Sequence, residues 1–311
     1  MVKALIKSMR LRTLPLSLAG VVCGGLLAMG GLGHDGNWWA FALVLLTACS
    51  LQVLSNLSNE MGDHLSGVDG EGREGPNYSM ADGGLTVKQM WRAINTTVVL
   101  CSVSGLAMLL FSFPPFSFYF LLFTLLGAAA IWAATHYTLG KNPYGYRGLG
   151  DLFVFIFFGL VSVLGSYFVI ARTLVPEAWL LCPAAGVGLL SVAVLNVNNI
   201  RDMASDEGLR KTIPLRIGAR AAQWYQTALI VGGTALMCAP CFRWWLSFPV
   251  GGIAVHLWMV WTRKGKQLDP ALPILVISTF LLALLYSLSF VLSPDSLSPY
   301  LLKVCLMIST R

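Results

Sequence analysis

Long apolar runs alternate with shorter polar segments along almost the whole chain. Each run is close to twenty residues long, the length that a helix needs to cross ~30 Å of hydrocarbon. Membrane-barrel strands are only about ten residues long, so the runs indicate helices. The nine predicted spans are 14–32, 38–55, 93–111, 116–137, 152–170, 178–197, 221–239, 244–261 and 273–292. The pattern therefore predicts an all-α integral membrane protein.

The overall composition agrees with this pattern. Of the 311 residues, 56% are hydrophobic and only 11% are charged, which is outside the usual range of soluble domains. The basic N-terminal segment MVKALIKSMRLR precedes an apolar run that is long for a signal peptide, and no convincing A-x-A site follows it. We therefore predict a retained first helix and a single integral membrane domain over residues 1–311.

The distribution of Lys and Arg predicts the orientation of the helices. If the N-terminus is cytoplasmic, 17 of the 21 basic residues fall in cytoplasmic segments, as expected for a membrane protein. This predicts a cytoplasmic N-terminus and a C-terminus on the outer side. The net charge of +7 then needs no nucleic acid to explain it, and no nucleic-acid-binding motif is visible.

The longer loops on the predicted cytoplasmic side hold 11 of the 14 acidic residues. The first of them, NLSNEMGDHLSGVD, follows the second span. Asn56, Asn59 and Asp63 lie on one face if the helix continues past its apolar part. Glu60 falls near them, and Asp69 follows in the tail of the motif.

A second motif, NVNNIRDMASDEGLRK, follows the sixth span and places Asn198, Asp202 and Asp206 at steps of four residues. Such a helix presents all three on one face, where two carboxylates repel each other unless a cation lies between them. Mg²⁺ prefers oxygen ligands and keeps waters and phosphate oxygens in its remaining positions. The two motifs lie four spans apart at the same end of a helix, which suggests an internal repeat and a shared cation site.

Basic residues accompany both motifs, and acids and bases together suit a metal-bound polyphosphate. Solvated loop charges and helix caps explain either motif alone; the matching pair favours a functional site.

The loop HYTLGKNPYGYRGLGD is either a Gly/Pro turn with interfacial aromatics or a set of substrate contacts. The basic residues beside the motifs are Arg73, Arg201, Arg210, Lys211 and Arg216, and the polar residues of the third loop are Tyr137, Lys141, Tyr144, Tyr146, Arg147 and Asp151.

Four segments in the same chain order carry a resemblance to a known family: RTLPLSLAG, NLSNEMGDHLSGVD, YTLGKNPYGYRGLGDLFVFIFFG and NVNNIRDMASDEGLRKTIPLRIG. Over nearly its whole length the chain resembles the UbiA superfamily of intramembrane aromatic prenyltransferases. It is most similar to the branch that acts on 1,4-dihydroxy-2-naphthoate in menaquinone biosynthesis. The resemblance implies nine transmembrane helices around a central cavity, in a bacterial cytoplasmic membrane with the active site facing the cytoplasm.

The implied reaction transfers a polyprenyl group from an allylic polyprenyl diphosphate to dihydroxynaphthoate, with loss of diphosphate and CO₂ and with Mg²⁺ as cofactor. The implied metal ligands are Asn59, Glu60, Asp63, Asp202 and Asp206. The implied catalytic residues are Asp63, Asp202, Lys211, Tyr137 and Lys141. The implied substrate contacts are Asn56, Asn59, Arg73, Tyr146, Arg147, Arg201, Asn198 and Arg216.

The first motif departs from the family pattern N-D-x-x-D, because Glu60 stands where that pattern has Asp. The Glu side chain is one methylene longer than that of Asp. Glu60 therefore either contacts the metal ion from a shifted backbone or does not contact the ion directly and supports the residues that do.

Three other functions compete with this interpretation. The acceptor could be another aromatic compound such as 4-hydroxybenzoate. A transporter of divalent cations or organophosphates would place its charges near mid-membrane rather than at helix ends. A CDP-alcohol phosphotransferase would carry a D-G-x-x-A-R motif, which the sequence lacks.

Overall fold

Helices occupy the positions that the apolar runs predict. A computed structural model describes residues 1–30, 37–67, 79–172, 178–239 and 243–292, and these residues contain helices and no strand. The α-helices are α1 Val2–Met9, α2 Leu14–Gly30, α3 Trp38–Ser66, α4 Val87–Ser112, α5 Phe118–His136, α6 Gly150–Val154, α7 Ser166–Ala171, α8 Leu181–Arg201, α9 Met203–Asp206, α10 Ile213–Ile217, α11 Ala219–Cys238, α12 Ser247–Thr262 and α13 Ala271–Val291. A π-helical segment, Phe155–Gly165, joins α6 to α7.

Seven of the helical stretches in the described residues are long and apolar enough to cross a membrane: Val2–Gly30, Trp38–Ser66, Val87–Ser112, Phe118–His136, Gly150–Ala171, Leu181–Arg201 and Gly265–Val291. The predicted seventh and eighth spans are present as α11 and α12. Helix α11 begins with the polar sequence ARAAQWYQT and α12 has 16 residues; neither is among the seven, so the predicted count of nine spans is not confirmed within the described residues. The chain is a multi-pass integral membrane protein.

Helix α3 continues from its apolar part through the first acidic motif, as the sequence predicts. The side chain of Asn37 caps its first turn by accepting a hydrogen bond from the Ala40 amide, and Gly67 ends it with a φ of 75°. Its 29 residues span about 44 Å at the usual helical rise, which exceeds the thickness of the hydrocarbon core. The motif therefore lies on the last turns of a continuous helix.

Helix α8 differs from the prediction of one uninterrupted helical face. It ends at Arg201, Asp202 adopts φ −91° and ψ 8°, and the four-residue helix α9 follows. The Asp202 amide still donates to the Asn198 carbonyl (3.1 Å), and the Asp206 amide donates to the Asp202 carbonyl (2.9 Å). The one-turn spacing of the three residues therefore persists across a break in the helix.

The π-helical segment is a feature that the apolar pattern did not predict. Glycines in the segment and on the neighbouring helices allow close approach between them. A Cβ atom on Gly24 of α2 would lie 2.0 Å from the Val163 carbonyl oxygen, and one on Gly159 would lie 2.6 Å from the Cα of Gly188 in α8. π-Helical turns are rare and are frequently found at functional sites. This segment forms part of the cavity described below.

Helices α2 and α8 lie at the centre of the bundle, and most of their spanning residues are buried. Helix α2 packs against α13 and the π-helical segment, α3 packs against α4 and α5, and α8 packs against α11 and the π-helical segment. In helix α5 only Ala133 is buried, as expected for a helix at the lipid-facing edge of the bundle. The arrangement encloses a cavity between α2, α3, α5, the π-helical segment and α8.

Candidate active site

The cavity has a volume of about 450 Å³, within the range of small-molecule sites. Much of its wall is apolar, with side chains such as Val44, Met108, Phe123, Leu126 and Phe157. The ends of α3 and α8 add carboxylate, amide and guanidinium groups to the same wall. The cavity therefore combines a charged region with an extended apolar one.

The first motif contributes Asn59 and Asp63 to the cavity wall. Asp63 is 4% exposed, and the Asn59 side-chain oxygen Oδ1 accepts a hydrogen bond from the Thr138 hydroxyl (3.3 Å). Gly62 allows this contact, because a Cβ atom there would lie 2.5 Å from the Thr138 hydroxyl oxygen. The end of α3 is thereby held against the loop that follows α5.

The second motif contributes Asn198, Asp202 and Asp206 to the same cavity. Arg201 donates from Nε and Nη2 to the two carboxylate oxygens of Asp202, both at 2.7 Å. Its Nη1 also donates to Asp269 (3.0 Å) and its Nη2 to the Asn198 side-chain oxygen (2.9 Å). The guanidinium is therefore paired and hydrogen-bonded, which offsets the cost of burying its charge.

Arg210 connects the two motifs. Its Nη2 lies 2.5 Å from the Asp63 Oδ1, and its Nε lies 3.7 Å from the Asp206 Oδ1. The guanidinium also lies over the ring of Tyr146, 4.9 Å from the ring centroid. Burial acts to lower the pKa of Arg210, but the attraction of Asp63 and Asp206 outweighs burial and raises it. Arg210 therefore remains a cation between two carboxylates.

Two tyrosines of the third loop contact this charged region. Tyr137 lines the cavity, and the Tyr146 hydroxyl donates to the Asp63 Oδ1 at 2.9 Å. Burial is the main cause that raises the pKa of each phenol to about 12; Asp63 is the next cause at Tyr146, and Arg210 opposes the rise at Tyr137. The Lys211 amide donates to the Tyr146 carbonyl (2.9 Å), so the third loop is joined directly to the segment after the second motif.

Glu60 lies apart from the other predicted metal ligands. It is fully buried, its Oε1 accepts a hydrogen bond from the Met80 amide (2.9 Å), and it does not line the cavity. Asn59 and Asp63 therefore face the cavity while Glu60, between them in sequence, faces the segment after residue 78. The longer side chain at this position reaches a backbone amide.

Four other predicted residues are exposed and do not line the cavity: Lys141, Arg147, Lys211 and Arg216. The Arg216 guanidinium donates to the Arg147 carbonyl (2.7 Å) and so helps to join their two segments. Asp69 and Arg73 lie outside the described residues.

The cavity also contains polar residues that the sequence analysis did not assign to the site. Asn56 was predicted as a substrate contact and does line the cavity, but its amide nitrogen donates to the Met9 carbonyl and the Thr13 hydroxyl, both at 2.9 Å. Gln52 lies one turn before Asn56 on the same face of α3, a spacing that could have indicated it from sequence. The unassigned polar lining residues include Arg10, Thr13, Gln52, Asn199 and Ser205; Arg210, which the sequence indicated only as a basic residue beside the second motif, also lines the cavity.

The cavity-facing oxygen donors fit a hard divalent cation. Asn59, Asp63, Asp202 and Asp206 present amide and carboxylate oxygens to one cavity, and these are ligands that Mg²⁺ accepts. Within the part of the chain that the structure describes, no three acidic, His or Cys side chains form a metal-binding group by themselves. Mg²⁺ commonly takes one or two carboxylates and completes its coordination with water and phosphate oxygens.

Comparison with known proteins identifies the family. The UbiA prenyltransferase family matches residues 17–273. The 1,4-dihydroxy-2-naphthoate octaprenyltransferase of Escherichia coli is 41% identical over 249 residues, which cover 78% of this chain and 76% of the relative. The Haemophilus influenzae protein of the same name is 34% identical over 296 residues, which cover 91% of this chain and 94% of the relative.

Solved structures share the fold at low sequence identity. An apo UbiA homologue from Aeropyrum pernix superposes with a TM-score of 0.66 at 17% identity, covering 91% of this chain and 98% of that one. A UbiA homologue from Archaeoglobus fulgidus, solved with DMAPP and Mg²⁺, gives a TM-score of 0.64 at 15% identity, covering 93% and 99%. With two motif-bearing helices around one cavity and a family match over most of its length, this chain belongs to the UbiA prenyltransferase family.

Proposed function

We propose that the protein transfers a polyprenyl group from an allylic polyprenyl diphosphate to 1,4-dihydroxy-2-naphthoate, releasing diphosphate and CO₂ and forming demethylmenaquinol for menaquinone biosynthesis. The names of the two bacterial relatives support the acceptor. The observation that carries the proposal is the composition of the cavity. Acidic motifs from two helices supply one polar wall, and apolar side chains supply the rest, which suits a diphosphate joined to an isoprenoid chain.

The charged region would bind the diphosphate together with Mg²⁺. Asn59, Asp63, Asp202 and Asp206 are the residues that would hold the metal, and bound Mg²⁺ would neutralise the leaving group and so favour its departure. The Mg²⁺ bound by the Archaeoglobus protein supports a divalent-metal requirement. Arg210 contacts a carboxylate of each motif, and its guanidinium has further N–H groups that can donate to diphosphate oxygens.

In the reaction, the aromatic ring exchanges its bond to the carboxylate for a bond to the prenyl group, and the prenyl group exchanges its bond to the diphosphate oxygen for that bond to the ring. The allylic C–O bond breaks and its electron pair leaves with the diphosphate, while the ring supplies the electron pair of the new C–C bond. The carboxylate then leaves as CO₂ and its bonding electrons return to the ring. The charges balance, because the released diphosphate carries one more negative charge than the prenyl diphosphate, and the aromatic acceptor loses one negative charge when its carboxylate leaves as neutral CO₂.

The aromatic part of the cavity wall can protect the allylic cation from water and stabilise its charge. Tyr144 stacks on Phe153 with a ring-centroid distance of 4.1 Å, and Phe153 stacks on Phe157 at 6.2 Å. All three rings line the cavity. Such packed rings offer π-faces to a cation, and the Tyr144 hydroxyl donates to the Ala133 carbonyl (2.9 Å).

The protein would act in a bacterial cytoplasmic membrane with the charged region facing the cytoplasm. The excess of Lys and Arg on the side of both motifs supports this orientation. Glu60 has no part in the proposed metal site because its carboxylate is directed to the Met80 amide. Catalytic roles for Lys141 and Lys211 and substrate contacts by Arg147 and Arg216 remain predictions from the sequence.

Purified protein in detergent would test the proposal directly. We would incubate it with dihydroxynaphthoate and farnesyl, geranylgeranyl or longer diphosphates, with Mg²⁺ or EDTA, and analyse the lipids by mass spectrometry. The expected product is a decarboxylated prenyl-naphthalenediol that forms only with Mg²⁺. Transfer to 4-hydroxybenzoate but not to dihydroxynaphthoate would refute the acceptor, and the absence of transfer to either would refute the activity.

A further inference from the structure

A cluster of tryptophan and arginine side chains lies on α11 and α12, away from the cavity. It consists of Arg220 and Trp224 near the start of α11 and of Trp258, Trp261 and Arg263 at the end of α12. Trp224 and Trp258 are 59% and 58% exposed, and none of the five residues lines the cavity. We call these five residues the Trp–Arg patch.

The ring of Trp261 is held in place by its neighbours. Its Nε1 donates to the Thr227 hydroxyl (3.1 Å), and it makes a T-shaped contact with Trp224 at a centroid distance of 4.9 Å. The Arg220 guanidinium lies over this ring, 4.6 Å from the centroid. Because the face of an indole attracts a cation, the fixed ring holds the guanidinium of Arg220 at the patch.

Arg263 repeats this arrangement on the same helix end. Its guanidinium lies over the ring of Trp258, 5.6 Å from the centroid. Trp258 and Trp261 are three residues apart on α12, so their side chains are neighbours on the helix surface. The patch therefore brings two guanidinium groups together, each against an indole ring.

Neither guanidinium is neutralised by an acidic residue. Arg220 and Arg263 have no carboxylate or hydrogen-bond partner among the described residues. The sequence from 219 to 270 contains one acidic residue, Asp269, and its carboxylate accepts from Arg201 (3.0 Å). The N–H groups of both arginines thus remain available to an anion from outside the chain.

The position of the patch indicates which anion it meets. Helix α11 begins shortly after the second acidic motif, so the patch lies at the end of the bundle that carries both motifs. Farther along the same two helices, Val231 and Val255 are exposed, as expected for a surface in contact with lipid chains. Exposed tryptophans near helix ends are typical of the level of the lipid headgroups.

We propose that the Trp–Arg patch binds the headgroup phosphate of an anionic phospholipid, in the leaflet on the side of the two acidic motifs. A guanidinium can donate two parallel hydrogen bonds to phosphate oxygens. Basic sites between spanning helices on the cytoplasmic side are known to suit anionic headgroups. The acyl chains would lie along the exposed surface that includes Val231 and Val255, which a soluble anion could not use.

The two arginines would also discriminate between lipids. A zwitterionic headgroup such as phosphocholine carries a cation beside its phosphate, and this cation would be repelled by two guanidinium groups. An anionic headgroup such as phosphoglycerol carries no such cation. The site would therefore select lipids by the net charge of the headgroup.

Native mass spectrometry in detergent would test the proposal. The protein would be mixed with equal amounts of phosphatidylglycerol and phosphatidylcholine that carry identical acyl chains, and the ratio of the two lipid-bound species would be measured. The wild-type protein should favour phosphatidylglycerol. The double variant Arg220→Gln, Arg263→Gln should lower this ratio at least about tenfold, because each cation near the membrane surface changes the affinity for an anionic lipid by about fivefold.

The matched control is the double variant Lys88→Gln, Arg92→Gln. It removes the same charge from two exposed positions in the first turns of α4, at the same end of the bundle, and its ratio should stay within about twofold of the wild-type value. The ratio compares two lipids on the same protein, so a lower yield of a variant does not change it.

Three results would overturn the inference. The first is equal binding of both lipids by the wild-type protein, and the second is an equal loss of preference in the two double variants, which would show only a general attraction to charge. The third is a wild-type dimer that the arginine variant loses, because a second copy of the chain would then be the partner of the Trp–Arg patch.

Discussion

The guanidinium of Arg210 lies 2.5 Å from the carboxylate of Asp63, although 147 residues separate them in the chain. Arg210 also faces Asp206, one turn before it. A single side chain therefore connects the acidic motif at the end of α3 with the one that follows α8. In the proposed reaction the same guanidinium would help to hold the diphosphate beside both groups of metal ligands.

Replacing Arg210 by Lys should weaken prenyl diphosphate binding. Lys keeps the charge but cannot donate several hydrogen bonds in the fixed geometry of a guanidinium. A charge-assisted hydrogen bond contributes about 1.5–3 kcal/mol, so we expect kcat/KM for the prenyl diphosphate to fall roughly 10- to 100-fold. Steady-state kinetics at saturating acceptor would measure this change.

Arg216→Lys is the matched control for Arg210→Lys. Arg216 is exposed, and the structure shows its guanidinium bonded to the Arg147 carbonyl rather than lining the cavity. Its replacement should change kcat/KM by less than about twofold. A larger loss with Arg216→Lys than with Arg210→Lys would contradict the central position that we give to Arg210.

Asp63→Asn and Asp202→Asn should each remove Mg²⁺-dependent transfer while leaving the protein inserted in the membrane. Each change removes a negative oxygen donor but keeps the size of the side chain. Because a bound metal stabilises the departing charge by several kcal/mol, activity should fall at least about a hundredfold. Product formation across a Mg²⁺ titration would measure the loss.

Asp82→Asn provides the control for the two Asp substitutions. Asp82 is an exposed partner of Lys7 and does not line the cavity, so its replacement should leave the Mg²⁺ titration unchanged. Full activity in Asp63→Asn or Asp202→Asn would remove that residue from the proposed metal site.

Glu60→Asp should lower stability without changing the response to Mg²⁺. The shorter side chain would withdraw the carboxylate from the Met80 amide and leave buried polar groups unpaired, which costs about 1–3 kcal/mol of the free energy of unfolding. Thermal unfolding in detergent would show a lower midpoint, and the Mg²⁺ concentration for half-maximal activity would stay the same. Glu60→Gln keeps an acceptor oxygen and should be less destabilising; a shifted Mg²⁺ response in both variants would instead support a metal-binding role.

Alkaline pH should reduce stability through the buried phenol of Tyr146. Burial and Asp63 raise its pKa from 10.0 to about 12, so the folded protein holds this proton more tightly than the unfolded chain does. The resulting stabilisation is fully present below pH 10 and is lost as the pH rises from about 10 to about 12. The unfolding midpoint of the wild-type protein should therefore fall over this interval.

Tyr146→Phe separates this effect from general alkaline damage. The variant lacks the titrating group and the bond to Asp63, so its unfolding midpoint should be lower at pH 8 and should decline less steeply between pH 10 and 12. Parallel declines in the two proteins would show that Tyr146 does not cause the pH dependence.

The sequence by itself determined the class of the fold and the two acidic motifs. Runs of about twenty apolar residues have few alternatives to membrane-spanning helices, because backbone hydrogen bonds must be satisfied within lipid. The spacing of Asn59 and Asp63 and of Asn198, Asp202 and Asp206 predicted which oxygen donors share a face. All five line the cavity, since helical periodicity is a local property.

Only the tertiary structure decided which of the neighbouring charges face the cavity. Glu60 belongs to the first motif in sequence but is bonded to Met80, and Lys211 is exposed while the adjacent Arg210 joins the two motifs. These directions depend on packing between distant segments and on a helix break at Asp202. The π-helical segment makes close glycine contacts with neighbouring helices, and such contacts do not appear in the periodicity of a single run.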